Sequence, residues 1–75
     1  MEEKLIKEFR YQLGKEIKSV RKSKNMSQNE LAKKLGIDRS TISKIENGKF
    51  SISVDYLVKF SLALDYEFCV IKKEN

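Results

Sequence analysis

Apolar residues recur at every third or fourth position near the start of the chain. This spacing predicts one long amphipathic helix over about residues 3–23. The apolar stripe along one face of this helix consists of Ile6, Phe9, Leu13, Ile17 and Val20. Gly14 inside the stripe indicates either a close helix contact or a weak point in the helix. Asn25 is expected to end the helix in a left-handed conformation.

The charges at the two ends of this helix follow the order that suits its dipole. Glu2 and Glu3 stand at the start, and Arg21, Lys22 and Lys24 stand at the end. The basic cluster has two interpretations: it compensates the C-terminal dipole, or it contacts phosphate groups.

A second helix is predicted over about residues 28–35, because its start signal is complete. Ser27 and Glu30 have the spacing of a capping box. Gly36 follows the last apolar position, where a sharp turn needs a residue that tolerates positive φ.

A third helix is predicted over about residues 39–46, with Asp38 as its N-cap and Gly48 at its C-terminal cap. On the helical period Ile42 and Ile45 face inward. The outer face then carries hydrogen-bonding side chains that suit base edges and phosphates: Arg39, Ser40, Ser43 and Lys44. Taken alone, this polarity is also what any short surface helix shows.

The fourth predicted helix covers about residues 54–64, with Ser53 as its N-cap. It is expected to close the core over the first three helices. Phe60 is assigned to that core, whereas Tyr56 is left open between the core and a partner-facing position.

Residues 66–72 are rich in aromatic and β-branched side chains, with Tyr66, Phe68 and Val70 at alternate positions, which predicts a β-strand. A lone strand inside an all-helical domain has an unpaired edge, so we expect it to pair with the same strand of a second copy. The residues assigned to this dimer contact are Tyr66, Phe68, Cys69, Val70 and Ile71. A short fifth helix is the alternative.

The length and charge of the chain indicate a small basic domain. Seventy-five residues allow one domain. The net charge is +5, and the bases exceed the acids by eight to four in residues 1–24 and by five to three in residues 25–50. Such a surplus favours nucleic acid as a partner, although a lysine-rich solvated surface is equally compatible with it.

Several functional classes have no support in the sequence. It contains no apolar run of the roughly 20 residues needed to span a membrane, and its charged start is not a secretory signal. One cysteine fits a reducing cytoplasm. Without histidine, a glycine-rich phosphate loop or a cysteine cluster, neither an enzyme nor a bound metal or cofactor is expected.

The predicted second and third helices together resemble a known DNA-binding motif. Residues 27–48 look like the helix-turn-helix of the Cro and phage-repressor family, the XRE group of bacterial regulators. The matching residues are Gln28, Glu30, Leu31, Ala32, Leu35, Gly36, Ile42, Ile45, Glu46, Asn47 and Gly48. The resemblance implies an all-α, lambda-repressor-like DNA-binding domain of about four helices. The C-terminal strand resembles that of a subgroup that includes antitoxins.

The resemblance also implies contacts, position by position. The third helix would lie in the major groove of double-stranded DNA. Its base-contacting residues would be Arg39, Ser40, Ser43 and Lys44. Phosphate contacts would come from Gln28, Thr41, Asn47, Lys49 and Ser51.

Two functions are compatible with these features. The first is a homodimeric repressor that reads a pseudo-palindromic operator. The second is an antitoxin that neutralises a partner toxin protein and represses its own operon.

Overall fold

The computed structural model describes residues 2–68, and these residues form four α-helices. The helices are α1 (Glu2–Ser23), α2 (Gln28–Leu35), α3 (Arg39–Glu46) and α4 (Val54–Leu64). The predicted all-α architecture of four helices is confirmed.

The predicted C-terminal strand falls only partly on the described residues. Residues 66–68 have no regular secondary structure. Cys69, Val70 and Ile71, which were assigned to the dimer contact, lie outside the described residues.

The start signals read from the sequence are partly confirmed. The Ser27 hydroxyl accepts from the Glu30 backbone N–H, and the Glu30 carboxylate accepts from the Ser27 N–H, so the capping box is complete. The hydrogen bonds from the backbone and side chain of Ser27 lower the pKa of Glu30 below its ordinary value of 4.5. Asp38 occupies the N-cap of α3, but its side chain makes no capping hydrogen bond.

All four helices end through the same backbone arrangement. The first residue beyond the final turn has positive φ, and the next backbone N–H donates to the carbonyl five residues earlier. The positive-φ residues are Asn25, Gly36, Gly48 and Asp65. Each closure ends its helix abruptly, which keeps the connections short and gives successive helices defined directions.

The core lies where all four helices meet. Its largest fully buried side chains are Ile17, Leu31, Ile42, Ile45, Phe60 and Leu64. Phe60 is 0% exposed, which confirms its assignment to the core. Tyr56 is half-buried and packs against this core. Its ring lies edge-to-face against the ring of Phe50, with 6.4 Å between the two centroids.

The apolar face of α1 is buried only in the second half of the helix. Ile6 is 49% exposed and Phe9 is 72% exposed, whereas Leu13 is half-buried and Ile17 is fully buried. The 22 residues of α1 span about 33 Å, and the other helices have only 8 to 11 residues each. The shorter helices therefore cover only the second half of α1.

Gly14 marks the point where α1 crosses the end of α3. A Cβ atom at this position would lie 2.3 Å from the Ile45 carbonyl oxygen and 2.8 Å from that of Glu46. The contact partners are backbone atoms, which cannot rotate away as a side chain could. Of the two interpretations offered by the sequence, the structure supports the close helix contact.

We predict that Gly14→Ala destabilises the protein, although alanine favours a helix more than glycine by about 1 kcal/mol. Separating α1 from α3 should outweigh that gain and cost about 1–3 kcal/mol. Urea denaturation measures the difference. Ser19→Ala, at an exposed position of the same helix, is the control and should be neutral or slightly stabilising. A Gly14→Ala protein as stable as the wild type would contradict the close crossing.

Candidate nucleic-acid interface

The outer face of α3 is a polar surface held on a buried apolar backing. Ile42 is 0% exposed and Ile45 is 1% exposed, so these two side chains anchor the helix and fix its rotation. The four residues predicted to contact bases share the opposite side. Arg39, Ser40 and Lys44 are exposed, and Ser43 is half-buried.

The residues predicted to contact phosphates surround this face. Thr41 is half-buried within α3, and Asn47, Lys49 and Ser51 are exposed in the segment after it. The Asn47 amide donates to the Ser43 carbonyl at 2.9 Å. The same amide nitrogen lies 3.5 Å from the Ser43 hydroxyl oxygen, so the Asn47 side chain closes the end of α3.

The end of α3 is tied to α1 by a buried ion pair. Arg21 Nε donates to Glu46 Oε2 at 2.6 Å, and Arg21 Nη2 donates to Glu46 Oε1 at 3.1 Å. Arg21 is 7% exposed and Glu46 is 4% exposed. Arg21 Nη1 also donates to the Met26 carbonyl at 2.7 Å, in the connection that leads into α2. The guanidinium thus makes three hydrogen bonds inside the protein, two of them to the same carboxylate.

The same carboxylate also binds the start of α2. Gln28 Nε2 donates to Glu46 Oε1 at 3.0 Å. Glu46 therefore joins the first residue of α2, the last residue of α3 and the final turn of α1. Gln28 is half-buried and retains one amide hydrogen for a phosphate.

Sequence reasoning missed this cluster. It treated Arg21 as one of a group of cations that compensate a dipole or contact phosphate, but the Arg21 side chain is enclosed within the fold. One signal was available: Glu46 is an acid at the C-terminal end of a helix, where the dipole disfavours negative charge. An acid in that position needs a cation from elsewhere in the chain.

Positive charge remains on the exposed side of the cluster. Among residues 2–68, Arg39, Lys44 and Lys49 form no ion pair with a carboxylate. Their charges are therefore not neutralised within the described part of the chain, and they lie on or next to the outer face of α3. A surface of this kind attracts a polyanion.

The described residues include neither a membrane-spanning helix nor a cluster of metal-ligating side chains. No helix within residues 2–68 is long and apolar enough to cross a membrane. The same residues contain no group of three or more acidic, cysteine or histidine side chains arranged to hold a metal ion.

Two short helices joined by a closed turn, with a polar second helix, define the helix-turn-helix class of DNA-binding proteins. The sequence matches the helix-turn-helix family HTH_3 over residues 17–71. The chain therefore belongs to the HTH_3 family, which is of the XRE or Cro/C1 type. This confirms the resemblance seen in the sequence, and it places the chain among DNA-binding transcriptional regulators rather than enzymes.

Individual relatives cover most of the chain. It is 38% identical over 60 residues to the ImmF control region 10 kDa protein of Bacillus phage phi105, covering 80% of this chain and 67% of that protein. It is 40% identical over 64 residues to antitoxin HipB of Escherichia coli, covering 85% of this chain and 68% of the antitoxin.

A solved structure extends the similarity to three dimensions. The restriction-modification controller protein C.AhdI from Aeromonas hydrophila matches with a TM-score of 0.74 and 33% identity. The match covers 77% of this chain and 88% of C.AhdI.

We predict that Arg21 and Glu46 stabilise the fold only when both side chains are present. Arg21→Met or Glu46→Gln should each destabilise by about 3–5 kcal/mol, because each leaves one buried charge unpaired. The double variant should lose less than the sum of the two single losses. Urea denaturation of the four proteins completes the cycle. Strict additivity would show that the two side chains do not depend on each other.

Proposed function

We propose that this chain is a repressor that binds operator DNA as a homodimer, with α3 in the major groove. The observation that carries the proposal is the exposed, cationic polar face of α3 on a fully buried backing of Ile42 and Ile45. A rigid backing holds the side chains in one register against the base pairs. All 75 residues would form a single DNA-binding domain, acting in the cytoplasm, where bacterial DNA is found.

Base recognition would come from four side chains. Arg39 stands at the start of α3, where its fork can bind a guanine in a bidentate manner, worth about 1–3 kcal/mol of discrimination. Ser40, Ser43 and Lys44 follow on the same face. Since Ser43 is half-buried, its contact needs a base edge close to the helix.

The positioning contacts would come from a ring of donors around this face. Gln28 is the first residue of α2. Its second amide hydrogen and the backbone N–H groups at the start of the helix could bind the same phosphate. Thr41, Asn47, Lys49 and Ser51 would contact the backbone beside α3. Such contacts set the affinity and the register but carry little sequence information.

The dimer contact would be built from the C-terminal segment. Asp65 ends α4 with a φ of 50°, so the following residues leave the helix direction. The rings of Tyr66 and Phe68 then lie 5.1 Å apart between centroids, in an edge-to-face arrangement. This geometry favours an extended segment over an immediate fifth helix. Cys69, Val70 and Ile71 would continue the strand and pair with the same residues of a second copy.

A second function is supported by the similarity to antitoxin HipB. The chain would then also bind and neutralise a toxin protein while repressing its own operon. The two functions are compatible, because DNA binding would use α3 and leave other surfaces free. A toxin-like reading frame beside the gene would favour the antitoxin.

We predict that Arg39→Ala flattens sequence preference, because it removes the guanine-reading fork, whereas Lys49→Ala weakens binding to all sequences alike. Lys49→Ala should also reduce the slope of log affinity against log salt by about 0.9, the value for one phosphate contact. Fluorescence anisotropy with the upstream promoter and with scrambled DNA measures both effects.

The control for these variants is Lys59→Ala, which removes the same charge from α4, outside the proposed interface. It should leave both preference and slope unchanged. If Arg39→Ala retained full discrimination between promoter and scrambled DNA, the proposed reading face would be incorrect.

A further inference from the structure

The first half of α1 extends beyond the other three helices, and the loop after α3 packs against it near Tyr11 and Ile52. Residues 2–12, called the arm, are almost all exposed, and Leu13 is the first apolar residue of α1 that packs against the core. The described chain measures 39 × 22 × 21 Å, consistent with a helix that projects along one axis. A helical segment as short as the arm is marginally stable in water without a packing partner.

The arm carries apolar side chains on one side. Leu5 is 52% exposed, Ile6 is 49% exposed and Phe9 is 72% exposed. With Leu13 and with Ile52 from the loop before α4, they line a groove of about 940 Å³. Ser51, one of the proposed phosphate contacts, lies at the edge of this groove, but none of the apolar residues that line it belongs to the proposed DNA-binding face.

The charges around the groove are arranged in a self-complementary order. Glu2 and Arg10 also line it, with the apolar residues between them. Their Cα atoms are about 12 Å apart along the helix. The arm therefore has an acid at one end, an apolar centre and a base at the other end, and a reversed copy of the same surface matches it.

We propose that the groove binds the arm of a second copy of this chain in an antiparallel manner. A two-fold axis near Ile6 sets each Glu2 against the Arg10 of the other copy and brings the apolar centres together. The arm holds three acids and three bases, so two arms meet without the repulsion expected between chains of net charge +5. The neutral, apolar groove is unsuited to nucleic acid.

This contact is separate from the proposed C-terminal strand pairing. The Tyr66 hydroxyl donates to Glu16 of α1, which fixes where the C-terminal segment leaves the fold. The proposed strand contact uses residues 66–71, whereas the arm ends at residue 12, so the two contacts share no residue. The arm is therefore a second interface, which would join one C-terminally paired dimer to another.

A charge-swap experiment on the full chain tests the arm contact. Glu2→Arg and Arg10→Glu should each weaken self-association, because each sets like charges together at both symmetric contacts. We expect a rise of roughly fivefold in the dissociation constant of the arm contact, since exposed ion pairs are weak. An equimolar mixture of the two variants should recover wild-type association, because every contact is again between opposite charges. Sedimentation velocity over a concentration series gives the weight-average mass.

The matched controls are Glu3→Arg and Lys7→Glu, which make the same charge changes on the arm but do not line the groove. These controls should weaken self-association less than Glu2→Arg and Arg10→Glu do. Mixing the two controls should not recover the association of the wild type. A mixture of Glu2→Arg and Arg10→Glu whose mass is only the average of its components would overturn the proposal. So would a wild-type protein that stays monomeric, or one whose self-association responds to neither charge swap. Pairing through the C-terminal segment alone predicts no response to the arm charges.

Discussion

The Glu46 carboxylate is the point on which the DNA-binding unit depends. It accepts from the Arg21 guanidinium through both oxygens and from the Gln28 amide, and in the same place Arg21 binds the Met26 carbonyl. Each bond joins a different helix or connection, so the relative positions of α1, α2 and α3 are set by one charged group. Buried charges are costly unless paired and hydrogen-bonded, and here the fork of the arginine meets both needs. The arrangement also orients Gln28 beside the proposed DNA surface.

Much of the fold could be predicted from the sequence because its signals are local. The capping box at Ser27 and Glu30, the positive-φ closures at Gly36 and Gly48, and the inward placement of Ile42 and Ile45 each depend on residues within a few positions. The Arg21–Glu46 pair links positions 25 residues apart, and no local spacing identifies it. Charge at a helix end was interpreted as dipole compensation or phosphate binding, whereas the tertiary fold places Arg21 inside. The proposed base-contacting face followed from helical periodicity, but the chemistry it recognises came from family resemblance.

The first half of α1 shows where periodicity alone is insufficient. An apolar stripe indicates which side of a helix is suited to burial, but it does not say what buries it. At Ile17 and Val20 the partner is the protein's own core, while at Ile6 and Phe9 the other helices are too short to reach. The repressor would have three contact surfaces: α3 for DNA, the C-terminal segment for one partner copy and the arm for another.

The central claim is that α3 of two paired copies reads an operator, and selection of bound sequences from a random DNA pool tests it most directly. The account predicts enrichment of an inverted repeat whose half-sites are separated by about one helical turn, roughly 34 Å between centres. It also predicts a guanine at an equivalent position of each half-site, where Arg39 would bind. Failure to enrich any sequence, or enrichment of a single unrepeated half-site, would contradict it.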